Sequence, residues 1–241
     1  MTSNLGNFRY IYNKKPFDVL YEVLYLGHSM TRQLDEQERT IVRALIRNPR
    51  ASDNAVAKLT GVPVMSVNRK RKRLEEQGLI RYYTELATDN EGLAIFDAMQ
   101  LYIIKLRAGI TKKDYLESFE TDSRFRVFNT KFISSSFLGE KDGQLALIIV
   151  LHAHNPTMLT EEFNGKIVPY LQARFGPSAI QGIETVPLTT QIRVLHNYLP
   201  TLNMQKGILT PEWPNEFIFV DDYSIDGSKN ERNEKVAKYL K

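Results

Sequence analysis

The sequence contains no cysteine. That absence excludes a disulfide framework, a thiolate nucleophile and a sulfur-ligated zinc site. Long apolar runs are missing too, since the longest, Leu145 to Leu151, is far too short to cross a bilayer as a helix. The first ten residues, MTSNLGNFRY, lack the apolar core of a signal peptide, so we expect a soluble, cytoplasmic protein without a membrane partner.

Motifs for catalysis or metal binding are also scarce. There is no glycine-rich phosphate loop, and Ser134 to Ser136 lack the glycine context of a serine nucleophile. His152 and His154 lie two residues apart on a predicted strand, hence on one face, and could ligate a metal together with His196. No second ligand pair at metal-site spacing accompanies them. We therefore predict no catalytic residues, no metal and no cofactor.

The positive charge is concentrated in one segment. The apolar fraction of 42% and the charged fraction of 25% are those of an ordinary globular protein, and the net charge is +4. Between Leu34 and Thr84 there are eleven basic and six acidic side chains, a net charge of +5, so the rest of the chain sums to −1. This distribution indicates a polyanionic partner that binds the segment.

Five consecutive cations, Arg69 to Arg73, form the densest part of this segment. Five helical residues extend around more than one full turn, so their side chains cannot all lie on one face. A DNA groove has phosphates on both walls and would accept such a distribution. The alternative is a solvated basic helix, which is what most charge runs are.

Helix start and stop signals predict three short helices around this run. Asp35 is a good N-cap, and Glu38 adds a capping-box pattern. The first helix should end at Pro49, a second should begin after Ser52 or Asp53, and Gly61 should close it. The third follows Val62-Pro63 and ends at Gly78, and Leu79 to Tyr83 is expected to form a strand, hence a wing. The order is that of a helix-turn-helix, in which the last helix enters the major groove.

This segment resembles the DNA-binding domain of the Lrp/AsnC (feast/famine) transcription regulators. The matching features are Leu34-Asp35, the Gly61-Val62 turn, Arg73-Leu74-Glu75 and Gly78-Leu79-Ile80. Two positions depart from the family pattern. Pro63 replaces the usual Ser or Thr N-cap, and Arg71 replaces an apolar residue that helps to seat the third helix. Arg71 must therefore either extend out of the domain or alter the position of the helix.

The resemblance implies which side chains approach DNA. Asn68 and Arg69 have the chemistry for bidentate contacts, Asn to adenine and Arg to guanine. Phosphate contacts suit Ser66, Lys70, Lys72 and Arg73. The complete set of predicted DNA-binding residues is Met65, Ser66, Asn68, Arg69, Lys70, Lys72 and Arg73. For Lys70 and Arg73 the alternative is plain solvent exposure that stabilises the helix end.

Residues 97–197 show a different pattern, β-α-β-β-α-β, which is the ferredoxin-like unit. The predicted strands are Met99–Leu106, Arg124–Phe137, Gln144–His154 and Ala179–Leu195, with a hairpin turn at Gly139–Gly143. Helices are predicted after Thr111 and over Met158–Phe175, the second with a kink or offset at Pro169. Pro187 indicates that the last strand is an edge strand or is bulged. The order resembles the second domain of Lrp/AsnC proteins, which implies a homodimer or larger even-numbered assembly and a small-molecule effector such as an amino acid, at unknown residues.

The predicted architecture is therefore α+β: a winged helix-turn-helix domain (34–84), a linker (85–96) and a ferredoxin-like domain (97–197), between two extensions. The N-terminal extension (1–33) has helical spacing from Phe17 to Leu24, either covering the next domain or exchanged between subunits. The C-terminal extension (198–241) is expected to be a solvated tail on the second domain, with a strand at Phe217–Val220 and a closing helix after Asn230. The alternative for this tail is an acidic segment that competes with DNA for the basic helix.

We thus predict a sequence-specific, double-stranded-DNA-binding transcription regulator. Two alternatives differ in class. One is an enzyme on the same architecture, similar to sirohaem decarboxylases, with His152, His154 and His196 as candidate residues, although such an enzyme would not need the Arg69 to Arg73 cluster. The other is an architectural protein that binds DNA without sequence preference.

Overall fold

A computed structural model describes residues 32–88, 92–93, 95–119 and 123–220. The predicted helices at Phe17–Leu24 and after Asn230 lie outside these residues. The described chain forms two compact units. One contains residues 32–83 together with 191–220, and the other contains the described residues between 84 and 190.

The first helix of the first unit, α1, spans Glu36–Arg47 and begins at the predicted capping box. The Asp35 carboxylate accepts a hydrogen bond from the Glu38 N–H at 2.8 Å. The Glu38 carboxylate accepts one from the Asp35 N–H at 3.1 Å. The pair satisfies two amide donors that a helix start otherwise leaves without partners.

The next two helices complete a three-helix core. Helix α2 (Asp53–Thr60) is capped by Ser52, whose hydroxyl accepts from the Ala55 N–H, and ends at Gly61 with a φ of 73°. Helix α3 (Val64–Glu76) begins after Pro63 without a side-chain cap. Apolar side chains from all three helices and from the turn between α2 and α3 form the core: Ile41, Ala44, Leu45, Val56, Val62 and Val67.

The prediction of a strand, and hence a wing, at Leu79–Tyr83 is wrong, because residues 79–88 form a bend followed by irregular backbone. The N–H groups of Leu79 and Ile80 both donate to the Leu74 carbonyl, at 2.9 and 3.3 Å. They close the C-terminal end of α3 and are not available to a ladder. Tyr82 also turns back, and its hydroxyl donates to Glu75 at 2.9 Å.

The described part of the predicted tail, residues 198–220, contacts α1, so the expectation that the tail lies on the second domain is wrong for this part; residues 221–241 lie outside the described residues. They contain helix α8 (Pro200–Asn203), a hairpin of β5 (Met204–Gln205) and β6 (Ile208–Leu209), and a 3₁₀ turn (Asn215–Phe217) in place of the predicted strand. Arg47 donates to the Thr210 carbonyl at 3.3 Å, to Asn215 Oδ1 at 2.8 Å and to the Trp213 carbonyl. The last turn of α1 thereby supplies the donors that hold the segment.

The second unit is a four-stranded antiparallel sheet with helices on one face. Its elements, in chain order, are β1 (Ala98–Leu106), α4 (Lys112–Phe119), α5 (Ser123–Phe132), β2 (Ile133–Lys141), β3 (Gln144–Ala153), α6 (Pro156–Glu162), a π-helix (Phe163–Ile167), α7 (Val168–Phe175) and β4 (Ile180–Leu188). The strand order β2-β3-β1-β4, with every neighbouring pair antiparallel, is that of the ferredoxin-like fold. The α+β prediction is confirmed, with Pro187 on an edge strand.

The strand predicted from Arg124 to Phe137 begins only at Ile133, because residues 123–132 are helical. Alternating polar and apolar residues around Val127 imitate a strand, but Phe128 and Phe132 are four residues apart and both pack into the core. Their ring centroids are 5.1 Å apart. Burial of Phe128 and Phe132 on one helical face therefore outweighs the strand-like alternation of the sequence.

The β2–β3 turn is tighter than expected, and the helix that contains Pro169 is offset. The β2–β3 hairpin closes on Asp142-Gly143 alone, with φ of 50° and 73°, rather than on the five residues from Gly139. Two residues with positive φ match the twist of adjoining strands, so Asp-Gly is favoured there. The expected offset at Pro169 is confirmed as a π-helix that ends at Ile167, two residues before it, since Pro169 has no N–H to donate.

Candidate nucleic-acid interface

One face of α3 is exposed along its length and carries Met65, Asn68, Arg69 and Lys72. These positions follow the spacing i, i+3, i+4 and i+7, so their side chains form a single stripe. Met65 is 81% exposed, and the Lys72 side chain is 74% exposed. The opposite stripe, Val67, Lys70 and Leu74, is buried. The stripe brings together apolar, amide and cationic chemistry, the three types that read bases and phosphates.

Within this stripe, Arg69 and Lys72 are the cations most available for binding. Arg69 has no ion-pair partner among the described residues. Lys72 has Glu76 at 3.9 Å, and such an exposed pair contributes little. Ser66 lies beside the stripe and is half-buried.

Asn68 is held in place by the preceding helix. Its Nδ2 donates to Asp53 Oδ2 at 2.7 Å, and Asp53 is the first residue of α2. This bond fixes the orientation of the amide before any ligand arrives. Bidentate recognition of adenine uses Oδ1 and one of the two Nδ2 hydrogens, so the other hydrogen is available to keep the bond to Asp53.

The structure does not bring Lys70 and Arg73 to the exposed stripe. Lys70 is buried and forms an ion pair with Asp35. Arg73 donates to Glu38, whose carboxylate is completely buried and also accepts from Arg32 Nη2 at 2.5 Å. Both cations thereby connect α3 to the start of α1.

The pKa values of the two carboxylates reflect these contacts. The hydrogen bond from Lys70, together with the bond from the Glu38 N–H, lowers the pKa of Asp35 below its ordinary value. Burial raises the pKa of Glu38, but hydrogen bonds from the Asp35 N–H, Arg73 and Arg32 outweigh it, and the net shift is downward. Both groups therefore stay ionised at neutral pH.

Arg71 does not extend out of the domain. Its guanidinium donates to the Ala51 carbonyl at 2.9 Å, to Asp53 at 3.2 Å and to Glu75 at 2.9 Å. Arg71 joins α2 to α3, as an apolar residue would by packing. The role of Asp53 was missed in the sequence analysis, although a cation at a normally apolar position was a signal to search for a nearby carboxylate.

His152, one of the candidate metal ligands, contacts a serine and an aromatic ring. His152 Nε2 is 2.8 Å from Ser134 Oγ, and its ring meets Phe96 edge-on. Burial lowers the pKa of His152. Among the described residues, no three His, Asp or Glu side chains converge to hold a metal ion. None of the described helices has the length and apolar character required to cross a membrane.

The helix-turn-helix segment is similar in sequence to known DNA-binding proteins. A family described as winged helix-turn-helix DNA-binding matches residues 34–81. The HTH-type transcriptional regulator FL11 of Pyrococcus abyssi (strain GE5 / Orsay) is 30% identical over 80 residues, which are 33% of this chain and 52% of that protein. The match therefore spans about half the length of that relative.

Two solved structures are similar over most of the chain. The transcriptional regulator NMB0573 of Neisseria meningitidis, in complex with L-Met, has a TM-score of 0.51 at 13% identity and covers 70% of this chain and 96% of its own. AsnC of Escherichia coli has a TM-score of 0.49 at 18% identity and covers 68% of this chain and 97% of its own. At these identities the first structure establishes the fold alone. Residues 34–81 thus match a winged helix-turn-helix DNA-binding family, and the predicted resemblance of the chain to the Lrp/AsnC regulators is confirmed.

Proposed function

We propose that this protein is a sequence-specific transcription regulator that acts in the cytoplasm and inserts α3 into the major groove of double-stranded DNA. The observation that carries the proposal is the exposed stripe of Met65, Asn68, Arg69 and Lys72 on a helix whose opposite face is buried. A helix with this distribution can enter a groove about 12 Å wide without disturbing its own core.

Each proposed contact follows from the chemistry of the side chain. Arg69, whose guanidinium has no partner among the described residues, is suited to O6 and N7 of guanine. Asn68 pairs with adenine through Oδ1 and one Nδ2 hydrogen, with its second Nδ2 hydrogen available to Asp53. Met65 offers an apolar surface to thymine methyl groups, while Ser66 and Lys72 bind phosphates. We propose that Lys70 and Arg73, which are paired with Asp35 and Glu38, maintain the helix packing and do not contact DNA.

We further propose that the protein acts as a homodimer or a larger even-numbered assembly through the open face of its sheet. The helices cover the sheet face that carries Tyr102, Ile104, Leu147 and Ile149. The opposite face places apolar residues side by side in register, with Leu101 beside Val150 and Val186, and Ile103 beside Ile148. Phe137, in register with Ile148, is 62% exposed. An apolar face of this kind on a sheet is stabilised by packing against a second sheet.

A dimer carries two copies of α3, so we expect two half-sites about one helical turn of DNA apart. We also propose that the sheet domain senses a small molecule. Support comes from the solved neighbour, which binds L-Met. An amino acid is therefore the first effector class to examine.

Selection of binding sites from a random duplex pool, followed by affinity measurements across a salt series, tests the DNA proposal. We expect a selected site to bind at least about a thousandfold more tightly than random duplex. Arg69→Ala should weaken binding and relax the preference at one base pair by about 1–3 kcal/mol. Lys166→Ala, which removes an exposed cation from the π-helix, is the matched control and should leave both quantities unchanged. Equal affinity for selected and random duplex would instead assign the architectural role.

The dimer proposal is tested separately by light scattering. Phe137→Glu places a charge on the open sheet face and should shift the protein toward the monomer. Val127→Glu, at an exposed apolar position on α5, is the control and should not change the mass. A dimer that persists in Phe137→Glu but dissociates in Val127→Glu would place the interface on the helical side.

A further inference from the structure

The second unit contains a cavity between its helices and the first half of its sheet. The cavity has a volume of about 230 Å³. Its walls come from α4, α5, β2, β3 and the π-helix, with Ile149 and Ile167 among the apolar residues that line it. This volume is smaller than the roughly 300–1,000 Å³ of sites for drug-sized ligands, and it suits a single-ring molecule.

An amide in the cavity wall lacks hydrogen-bond partners. Both Oδ1 and Nδ2 of Asn129 are shielded from solvent, and neither has a partner among the described residues. Buried polar groups in folded proteins nearly always have a partner, because an unpaired donor or acceptor loses its bonds to water without replacement. An amide has a donor and an acceptor on one edge, so one ligand with a complementary edge would satisfy both.

The other polar groups of the cavity are uncharged. Tyr115, Thr130 and Ser136 contribute hydroxyl groups, and none of the described lining residues is charged. Burial raises the pKa of Tyr115, so its hydroxyl stays protonated and neutral. Since charged ligand groups would find no countercharge on this lining, a zwitterionic amino acid is disfavoured.

We infer that this cavity is a binding site for a small uncharged ligand with a carboxamide or lactam edge, paired to the Asn129 amide. The site lies within one subunit and differs in chemistry from an amino-acid effector site. The inference rests only on the second unit, so it stands or falls independently of DNA binding.

Calorimetric titration of the full-length protein with nicotinamide, 2-pyridone and uracil tests the inference. At least one of these probes should bind. Nicotinate, which replaces the carboxamide of nicotinamide with a carboxylate, should bind at least tenfold more weakly than nicotinamide, as should L-methionine. Failure of all three neutral probes to bind, or equal affinity for nicotinate and nicotinamide, would overturn it.

Two substitutions at Asn129 connect binding to the amide. Asn129→Leu should weaken the binding of the neutral probe at least tenfold and raise the melting temperature, because an apolar side chain replaces an unpaired buried amide. Asn129→Ser removes the paired donor and acceptor with a smaller side chain and should also weaken binding at least tenfold. Asn164→Leu, at an exposed position on the π-helix, is the matched control and should bind the probe like the wild type. Unchanged binding in either Asn129 variant would refute the assignment, as would a lower melting temperature in Asn129→Leu.

Discussion

Replacing Lys70 with methionine should destabilise the helix-turn-helix unit and leave the salt dependence of DNA binding unchanged. Methionine keeps the apolar stem of the side chain and removes only the ammonium group. Lys70 is 7% exposed and its ammonium pairs with Asp35. A hydrogen bond to a charged group contributes about 1.5–3 kcal/mol to stability. The Asp35 side chain is 49% exposed, so water can solvate its carboxylate after the substitution, and we expect a loss of about 1–2 kcal/mol.

The opposite substitution should cost more. Asp35→Ala removes the N-cap of α1, a loss of about 1 kcal/mol. It also leaves the Lys70 ammonium buried without its partner, for which a cost of about 3–5 kcal/mol is typical. The double variant should be less destabilised than the sum of the single variants, since the stranded charge is then absent.

The assay uses the single tryptophan of the chain. Trp213 lies in the segment that Arg47 holds against α1, so its fluorescence reports unfolding of this unit. Urea unfolding followed at Trp213 gives the stability of each variant. The salt slope of DNA affinity, measured on the same protein, counts phosphate contacts at about 0.9 per contact.

Lys72→Met is the matched control, because the same chemistry is removed from an exposed position of the same helix. Its stability should change by no more than about 0.5 kcal/mol. Its salt slope should fall by about 0.9 if Lys72 binds one phosphate. The reverse outcome, in which Lys70→Met keeps full stability and loses one contact from the salt slope, would refute the assignment of Lys70 to helix packing.

Three further predictions concern the same scaffold. Arg47→Ala removes hydrogen bonds to Thr210, Trp213 and Asn215, so it should lower the free energy of unfolding by about 1.5–3 kcal/mol and shift the emission of Trp213. Arg50→Ala, at an exposed position, should do neither. Unaltered emission in Arg47→Ala would show that these bonds do not hold the segment. The pKa values of Asp35 and Glu38 are lowered from 3.8 and 4.5, so these carboxylates stabilise the folded state fully above about pH 4.5, and this stabilisation is lost as pH falls through the lower folded pKa values. The urea midpoint measured at Trp213 should therefore fall in that pH range, and it should fall less in Glu38→Gln. Gly61→Ala should lower the free energy of unfolding by about 1 kcal/mol because φ is 73° at this position. Gly165→Ala, at a helical glycine with open space around it, should leave stability unchanged or raise it, as measured by thermal unfolding followed by circular dichroism. Similar losses at both positions would contradict the backbone explanation.

Local signals in the sequence were sufficient for the helix-turn-helix. The capping box at Asp35 and Glu38, the Ser52 cap and the Gly61 end depend on residues within three or four positions of one another. Such interactions form within a single turn of backbone, and residue order is enough to predict them. The ferredoxin-like order was also predictable, because β1, β3, β4 and the helical stretch from Met158 to Phe175 each have their own periodicity.

Predictions were wrong where a choice depended on distant partners. Residues 124–132 alternate like a strand, and only the core they meet selects a helix. Leu79 and Ile80 have a strand-like composition, but their amides are used by the Leu74 carbonyl. The segment around Trp213 carries no sequence signal that identifies Arg47, more than 160 positions away, as its donor.

The basic run shows most clearly how packing distributes charge. Five consecutive cations on a helix must point in all directions, so some of them meet the interior of the domain whatever the partner of the protein is. An interior cation is stable only with a carboxylate close by. The acids of the same segment provide these carboxylates, Asp35 for Lys70 and Asp53 with Glu75 for Arg71, while the half-exposed Arg73 pairs with the buried Glu38. The two cations that remain, Arg69 and Lys72, lie on one stripe with Met65 and Asn68. Because three of the five cations are paired with carboxylates of the same segment, the two that remain free to bind lie on a single face of α3. A single cationic face is what insertion of a helix into a DNA groove requires.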